Sequence, residues 1–228
     1  MKNTKKSLAR LFILGFLVVT PSLALASTFT IGYGTLGSAS ISDNGGTSYR
    51  SENITDFSVT SNDPLIHIDT SKAAYCVDLY HTIGKLEYDG KMVPLTVNYF
   101  DAAKLLNHYG KPYDDDNDND NSEELLQLSI WETLYETNGT YSLIGGNFKS
   151  ASGDNTYLDT LSNLGGDIDS YYVLRLYDMG HLGEGAYQQQ DLLVKVSSGG
   201  PPVPIPGAIW LLGSGLLGLV GIRRHKAC

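Results

Sequence analysis

The sequence predicts a mainly β domain with a helical insertion, an α+β arrangement, set between two terminal segments that do not belong to it. Three observations predict this. Residues 27 to about 98 and 171–196 carry short alternating polar and apolar runs broken by Gly and Asn, the pattern of half-buried strands. Between them, over about 101–165, the apolar spacing changes to three and four, the period of helices. Each end of the chain holds an uncharged apolar stretch beside a basic cluster.

Residues 1–26 read as a secretory signal peptide. Lys2, Lys5, Lys6 and Arg10 make a basic start, Leu11 to Val19 is apolar, and Ala24-Leu25-Ala26 precedes Ser27 as a cleavage site. The apolar run is too short for a membrane span. Domain residues 27–198 follow. Thr28 to Ile31 and Ile54 to Thr60 are strands, separated by breaks such as Asp43-Asn44-Gly45-Gly46. Ala73 to His81 is strand-like, which would place Cys76, Asp78 and Tyr80 on one face and Tyr75, Val77 and Leu79 on the other. Tyr88-Asp89-Gly90-Lys91 carries the Asp-Gly signal of a tight hairpin turn.

The helical insertion starts where Asp101 can cap Ala102 to Tyr109, stopped by Gly110 and Pro112. A second helix runs from Glu123 to Glu136. Asp120, Asn121 and Ser122 are competent caps for it, and its first-turn carboxylates suit the helix dipole. Its predicted buried stripe is Gln127, Ile130, Trp131, Leu134 and Tyr135. A third helix is expected over 156–164. Tyr171 to Tyr177 and Asp191 to Val196 return to strands.

The far end has a different grammar. Residues 199–206 are a Pro/Gly-rich linker, 207–222 an uncharged apolar segment expected to cross the membrane as a helix, and 223–228 a basic tail expected on its cytoplasmic side. Val203-Pro204-Ile205-Pro206, then Trp210 to Leu219, then Arg223-Arg224, resembles the PEP-CTERM family of sorting tails in its V-P-x-P variant. The resemblance covers about the last 25 residues and lacks the Glu of the Pro-Glu-Pro form. It implies a Gram-negative bacterium and an inner-membrane-anchored precursor. It also implies recognition by an exosortase at the membrane, then delivery to the cell surface or extracellular matrix.

Between the two ends lie nine basic and 25 acidic residues, a net charge of −16. Such a surface repels nucleic acid and anionic lipid, so neither is an expected partner of the domain. Asp114, Asp116, Asp118 and Asp120 alternate in an acidic loop that could hold Ca2+. The loop fails the EF-hand test, having no Gly at the sixth position and no Glu at the twelfth. The five histidines form no H-x-H or H-E-x-x-H spacing. On a strand His81 would face away from Cys76, so a Cys–His nucleophilic pair would need His67, His108 or His181, and hydrolase chemistry is not expected.

Cysteine usage is more informative. Cys228 lies beyond the basic cluster, leaving Cys76 alone in an exported domain. A lone thiol there is a buried small hydrophobe, an intermolecular disulfide or a reactive group. Gln127, at the head of an apolar stripe, is either a satisfied core glutamine or the partner of a nucleophile. A thiol held against a glutamine carboxamide can displace ammonia and form an internal thioester.

Tyr75-Cys76-Val77-Asp78 together with Gln127-Leu128-Ser129-Ile130-Trp131-Glu132 resembles the thioester domain family of bacterial surface adhesins. That family carries an aromatic-Cys step and, downstream, a Q-[aliphatic]-A-[aliphatic]-W segment. The intervening Ala102 to Asn107 helix is also similar, and the resemblance spans about 73–164. Ser129 stands where the family has Ala, and Leu126 where a Thr or another small residue often precedes the Gln. The resemblance implies a Cys76–Gln127 crosslink supported by Tyr75, Asp78, Ile130 and Trp131, open to attack by an amine on a partner. This is single-turnover covalent capture rather than enzymatic turnover, and it needs no cofactor. A crosslink between positions 76 and 127 would also stabilise the fold by roughly 4 kcal/mol in the chain-entropy model. The expected function is covalent adhesion or matrix crosslinking. The alternative is a non-covalent structural or carbohydrate-binding component of an extracellular polysaccharide matrix, with a free buried Cys76.

Overall fold

The computed structural model describes residues 27–113, 121–136, 140–180 and 188–197. The signal-peptide segment, the acidic loop with its four aspartates and the sorting tail lie outside the described residues. Among those described, no helix is long and apolar enough to cross a membrane.

β1 (Ser27–Ser42) and β2 (Arg50–Ser61) form a long antiparallel hairpin. It runs from Phe29 opposite Ser61 to Ile41 opposite Arg50, with one register shift between Thr35 and Gly37. Alternation explains its position: Phe29 and Ile31 are fully buried while Thr28 and Thr30 between and beside them are half-buried. Each such side chain removed from water contributes about 1.5–3 kcal/mol.

The remaining strands are β3 (Ala74–Cys76), β4 (Glu87–Pro94), β5 (Lys149–Ser150), β6 (Tyr171–Tyr177) and β7 (Leu192–Lys195). Pairing runs from β2 to β3, β7, β6 and β4, and returns to the first residues of β1. Every one of these pairings is antiparallel. The circuit therefore closes into a barrel, although its ladders are uneven: β2 meets β3 only at Asp56 and Phe57, and β1 meets β4 only over Ser27 to Thr30. β5 extends only the far end of β1, at Ile41 and Ser42.

β4 departs from the expected hairpin turn. Asp89 and Gly90 lie inside the strand, with Gly90 opposite Ser27 on one side and Leu176 on the other. Glycine is needed there for contact: a Cβ would lie 2.5 Å from the Phe29 ring and 2.9 Å from Leu174. The Asp-Gly pair marks a close approach of packed strands rather than a turn.

The three α-helices among the described residues fall between β4 and β6: α1 (Phe100–Tyr109), α2 (Asn121–Tyr135) and α3 (Thr156–Thr160). α1 begins one residue before the expected cap. Asp101 sits in its first turn and accepts from Lys104 Nζ at 2.7 Å. It buries Ala102, Ala103, Leu105 and Leu106 and ends at Gly110, whose N–H donates to the Leu106 carbonyl at 2.9 Å. α3 passes into a 3-10 turn at Leu161–Asn163, so the expected third helix is shorter as an α-helix.

α2 differs most from its predicted stripe. Leu126, Leu128, Ser129, Ile130, Trp131, Glu132 and Thr133 are buried together with Gln127, whereas Leu134 and Tyr135 are half-buried. The helix packs against α1, α3, β1 and β2 at once, so it has almost no solvent face. An amphipathic period describes a helix lying on one surface, and this one is enclosed.

Candidate functional site

The site forms where the barrel is narrowest in sequence terms, at the three-residue strand β3. Tyr75 pairs with Asp56 of β2 and with Leu193 of β7, and Cys76 pairs with Leu192. Pairing with β2 stops at Tyr75. At the next residue α2 takes over. Gln127 Oε1 accepts the Cys76 N–H at 3.0 Å, and Gln127 Nε2 donates to the Cys76 carbonyl at 2.8 Å. A primary amide offers a donor and an acceptor side by side, so one side chain replaces the peptide groups of a neighbouring strand. The same network fixes the amide's orientation, since a flipped group would set donor against donor.

Gln127 is fully buried and Cys76 is 3% exposed. Burial pushes the Cys76 thiol well above its ordinary range, and the Asp78 and Asp191 carboxylates push the same way. The Asp78 backbone and the Trp131 indole oppose the shift. Trp131 Nε1 has no acceptor in full hydrogen-bond geometry among the described residues, so its influence on the sulfur is that of a nearby N–H dipole.

The chain does not continue as a strand past Cys76. Val77 N–H donates to the Asp191 carbonyl at 3.0 Å, and the backbone then turns at Asp78, whose Oδ1 accepts the Tyr80 N–H at 2.9 Å. The expected facing of residues 73–81 therefore fails beyond Cys76. The turn does what alternation was expected to do and brings Asp78 onto the sulfur. Cys76 Sγ donates to the Asp78 carbonyl at 2.9 Å and accepts from the Asp78 N–H at 3.3 Å.

Of the supporting residues named from sequence, Tyr75 and Ile130 are fully buried, and Trp131 is 3% exposed. Three others were not singled out for the site. Tyr135 Oη accepts the Leu79 N–H at 3.0 Å and donates to the Val77 carbonyl at 3.4 Å, bracing the turn. Gln190 Nε2 donates to the Asp78 carbonyl at 3.3 Å. His81 Nδ1 lies 2.5 Å from Asp78 Oδ2. The position of Tyr135, eight residues after Gln127, was the one available signal, because i and i+8 share a helix face.

Beside the pair opens a cleft of about 370 Å³ lined by Tyr33, Glu52, Asp78, Tyr80, His81 and Trp131 among others. Trp131 and Asp78 thus belong both to the buried pair and to the cleft wall. The rim is fixed by Asp43, which accepts from Arg50 at 2.8 Å and from the Tyr80 hydroxyl at 3.1 Å. These two partners hold the Asp43 carboxyl below the usual carboxylate range. No cluster of potential metal ligands occurs among the described residues. No family model, curated protein or solved structure matches the chain.

Proposed function

We propose that this chain is an exported bacterial surface protein whose domain carries an internal Cys76–Gln127 thioester and uses it to capture an amine-bearing partner covalently. The observation that supports it is the Gln127 carboxamide held at both ends by the backbone of Cys76, at a site shielded from water. In bond formation Cys76 Sγ attacks Gln127 Cδ. The carbon–sulfur bond forms, the carbon–nitrogen bond breaks, and Nε2 leaves as ammonia with the thiol proton. The Cys76 N–H already donates to Oε1, the oxygen on which negative charge develops, so it acts as a preorganised oxyanion donor.

Capture runs the exchange with a new amine. Its nitrogen bonds to Cδ, the sulfur departs, and an amide to Gln127 remains. The step occurs once per molecule, so it is adhesion or matrix crosslinking rather than turnover. The tail fits delivery by an exosortase through an inner-membrane-anchored precursor to the surface or matrix of a Gram-negative cell.

The intact mass of the full-length chain, with and without methylamine, tests this. A mass short by one ammonia is expected, converted to a methylamine adduct at Gln127, with neither change in Cys76→Ala or Gln127→Ala. A full unmodified mass with a titratable thiol would end the thioester reading. One observation favours a second reading: Tyr33 and Tyr80 are 49% and 65% exposed on the cleft wall. That is a stacking surface for sugar rings, as a non-covalent matrix component would need.

A further inference from the structure

We infer that His81 is the proton acceptor for the captured amine, held for that role by Asp78, an assignment that rests on the thioester reading. Asp78 makes two different sets of contacts. Its backbone clasps the Cys76 sulfur from both sides, at 2.9 and 3.3 Å. Its carboxylate, acceptor-only when ionised, takes the Tyr80 N–H on Oδ1 and His81 Nδ1 on Oδ2. The second contact places the ring proton on Nδ1 and leaves the Nε2 lone pair free to accept, the arrangement of a histidine base oriented by a carboxylate. Among the described residues Nε2 has no hydrogen-bond partner. The ring is 43% exposed and lines the same cleft as Trp131, which packs on the buried pair.

The cleft supplies a path. Its acidic side chains, Glu52 and Asp78, are both paired: Glu52 accepts from Arg50 Nε at 2.6 Å, and Asp78 faces His81 Nδ1. An alkylammonium gives up its extra proton to bulk water on entry, because only the free amine nitrogen can attack. From the free amine onward the proton balance closes within the site. The amine nitrogen bonds to Gln127 Cδ as the carbon–sulfur bond breaks, and the amine proton passes to His81 Nε2. The sulfur leaves toward the Asp78 N–H that already donates to it. Burial strongly disfavours a Cys76 thiolate, so the departing sulfur takes up a proton in turn, and the imidazolium just formed can supply it. The products are an amide, a thiol and a neutral imidazole. No other reactant is needed.

The test uses the full-length chain, wild type and His81→Ala, with methylamine as the amine and intact mass as the readout. Capture is expected to be about a hundredfold slower in H81A, within the usual range for general base catalysis. Added imidazole is expected to restore it in a dose-dependent way, which loss of a purely structural contact would not allow. Asp78→Asn keeps the backbone clasp but removes the carboxylate that sets the ring tautomer. It is expected to slow capture about tenfold. A wild-type rate in H81A, with the ammonia-deficient mass in both chains, overturns the role of His81 and leaves the thioester standing. A slow H81A that imidazole does not restore also overturns it. Full unmodified mass in the wild type overturns this inference and the thioester together.

Discussion

At Gln127, helix α2 meets the backbone of β3 with a neutral amide; further along, Glu132 on the helix and Glu136 just past its end meet the 142–147 loop with carboxylates. Both junctions are buried and both reach main-chain groups. At the first, donor and acceptor are each matched, to the Cys76 carbonyl and N–H. At the second, Glu132 Oε1 accepts the Ser142 N–H and Glu136 Oε2 the Asn147 N–H, both at 2.6 Å. Glu132 Oε2 is buried with no partner among the described residues. Gly146, at φ +88°, is where the Glu136 carboxylate comes closest, and a Cβ there would overlap it. A neutral amide that completes a strand ladder carries little desolvation cost, whereas a buried carboxylate carries a large one and makes its junction sensitive to pH. The neutral junction is also the one that carries the proposed thioester.

Converting the first junction into the second should give the largest effect. In a Cys76→Ala background, where no crosslink can form, Gln127→Glu removes the donor to the Cys76 carbonyl and buries a charge. A loss of about 4 kcal/mol is expected at pH 8, read from the urea midpoint. The loss should shrink near pH 4, where a protonated carboxyl can again donate. An equal loss at both pH values would mean that the amide acts only by filling space.

Glu132→Gln reverses the conversion. The Glu132 carboxyl is pushed up to about 7 by burial, with Glu136 adding repulsion and the Ser142 N–H opposing. Its folded value is raised above the ordinary 4.5, so the folded state holds the proton longer than the unfolded one. Stability is therefore full below about pH 4.5 and declines as pH rises toward about 7. Glutamine keeps an acceptor for the Ser142 N–H and has no charge to bury. A gain of about 3 kcal/mol at pH 8 is expected, with no gain below pH 4.5. Asp191, raised to about 6 by burial, acts with the same sign over a lower window and should remain in the variant's profile. A flat difference between the chains across pH would break the comparison.

The two junctions were not equally legible in the sequence. Gln127 stood out because an amide at the head of an apolar stripe needs a partner, and Cys76 was the unexplained nucleophile. Glu132 did not stand out, because charged residues within a helix ordinarily face water. Nothing local announces that α2 is enclosed by α1, α3 and the β1–β2 hairpin. Strand β2 was visible through alternation, β6 and β7 as β-favouring runs, and β1 only over Thr28 to Ile31 of its Ser27–Ser42 length; closure into a barrel depends on long-range pairing that no single segment encodes. The Asp-Gly pair misled because close packing against Phe29 and a tight turn both select glycine. The turn at Asp78 was hidden by β-favouring neighbours, and with it the position of His81.

Trp131→Phe tests the wall between the buried pair and the cleft. The smaller ring should cost about 1–2 kcal/mol through lost packing. Among the described residues Trp131 Nε1 has no acceptor in full hydrogen-bond geometry, so the substitution takes from the Cys76 sulfur only a nearby N–H dipole. The larger consequence should be kinetic: water gains access to the carbonyl carbon, and the ammonia-deficient mass should convert to the hydrolysed, free-thiol form several times faster than in the wild type. Unchanged hydrolysis would mean that the wall lies elsewhere.

The smallest effect should come from Ser129, two residues after Gln127 on α2. Ser129 is fully buried and its hydroxyl has no partner among the described residues. It is also one of the two places where this chain departs from the thioester-domain pattern, which has Ala. Ser129→Ala removes an unsatisfied polar group and adds helix propensity, so a gain of about 1 kcal/mol is expected. If the hydroxyl is only tolerated, the variant should be more stable and should capture methylamine at the wild-type rate. A gain in stability with slower capture would instead make the hydroxyl part of the chemistry, moving from an idle position once Gln127 is acylated onto sulfur.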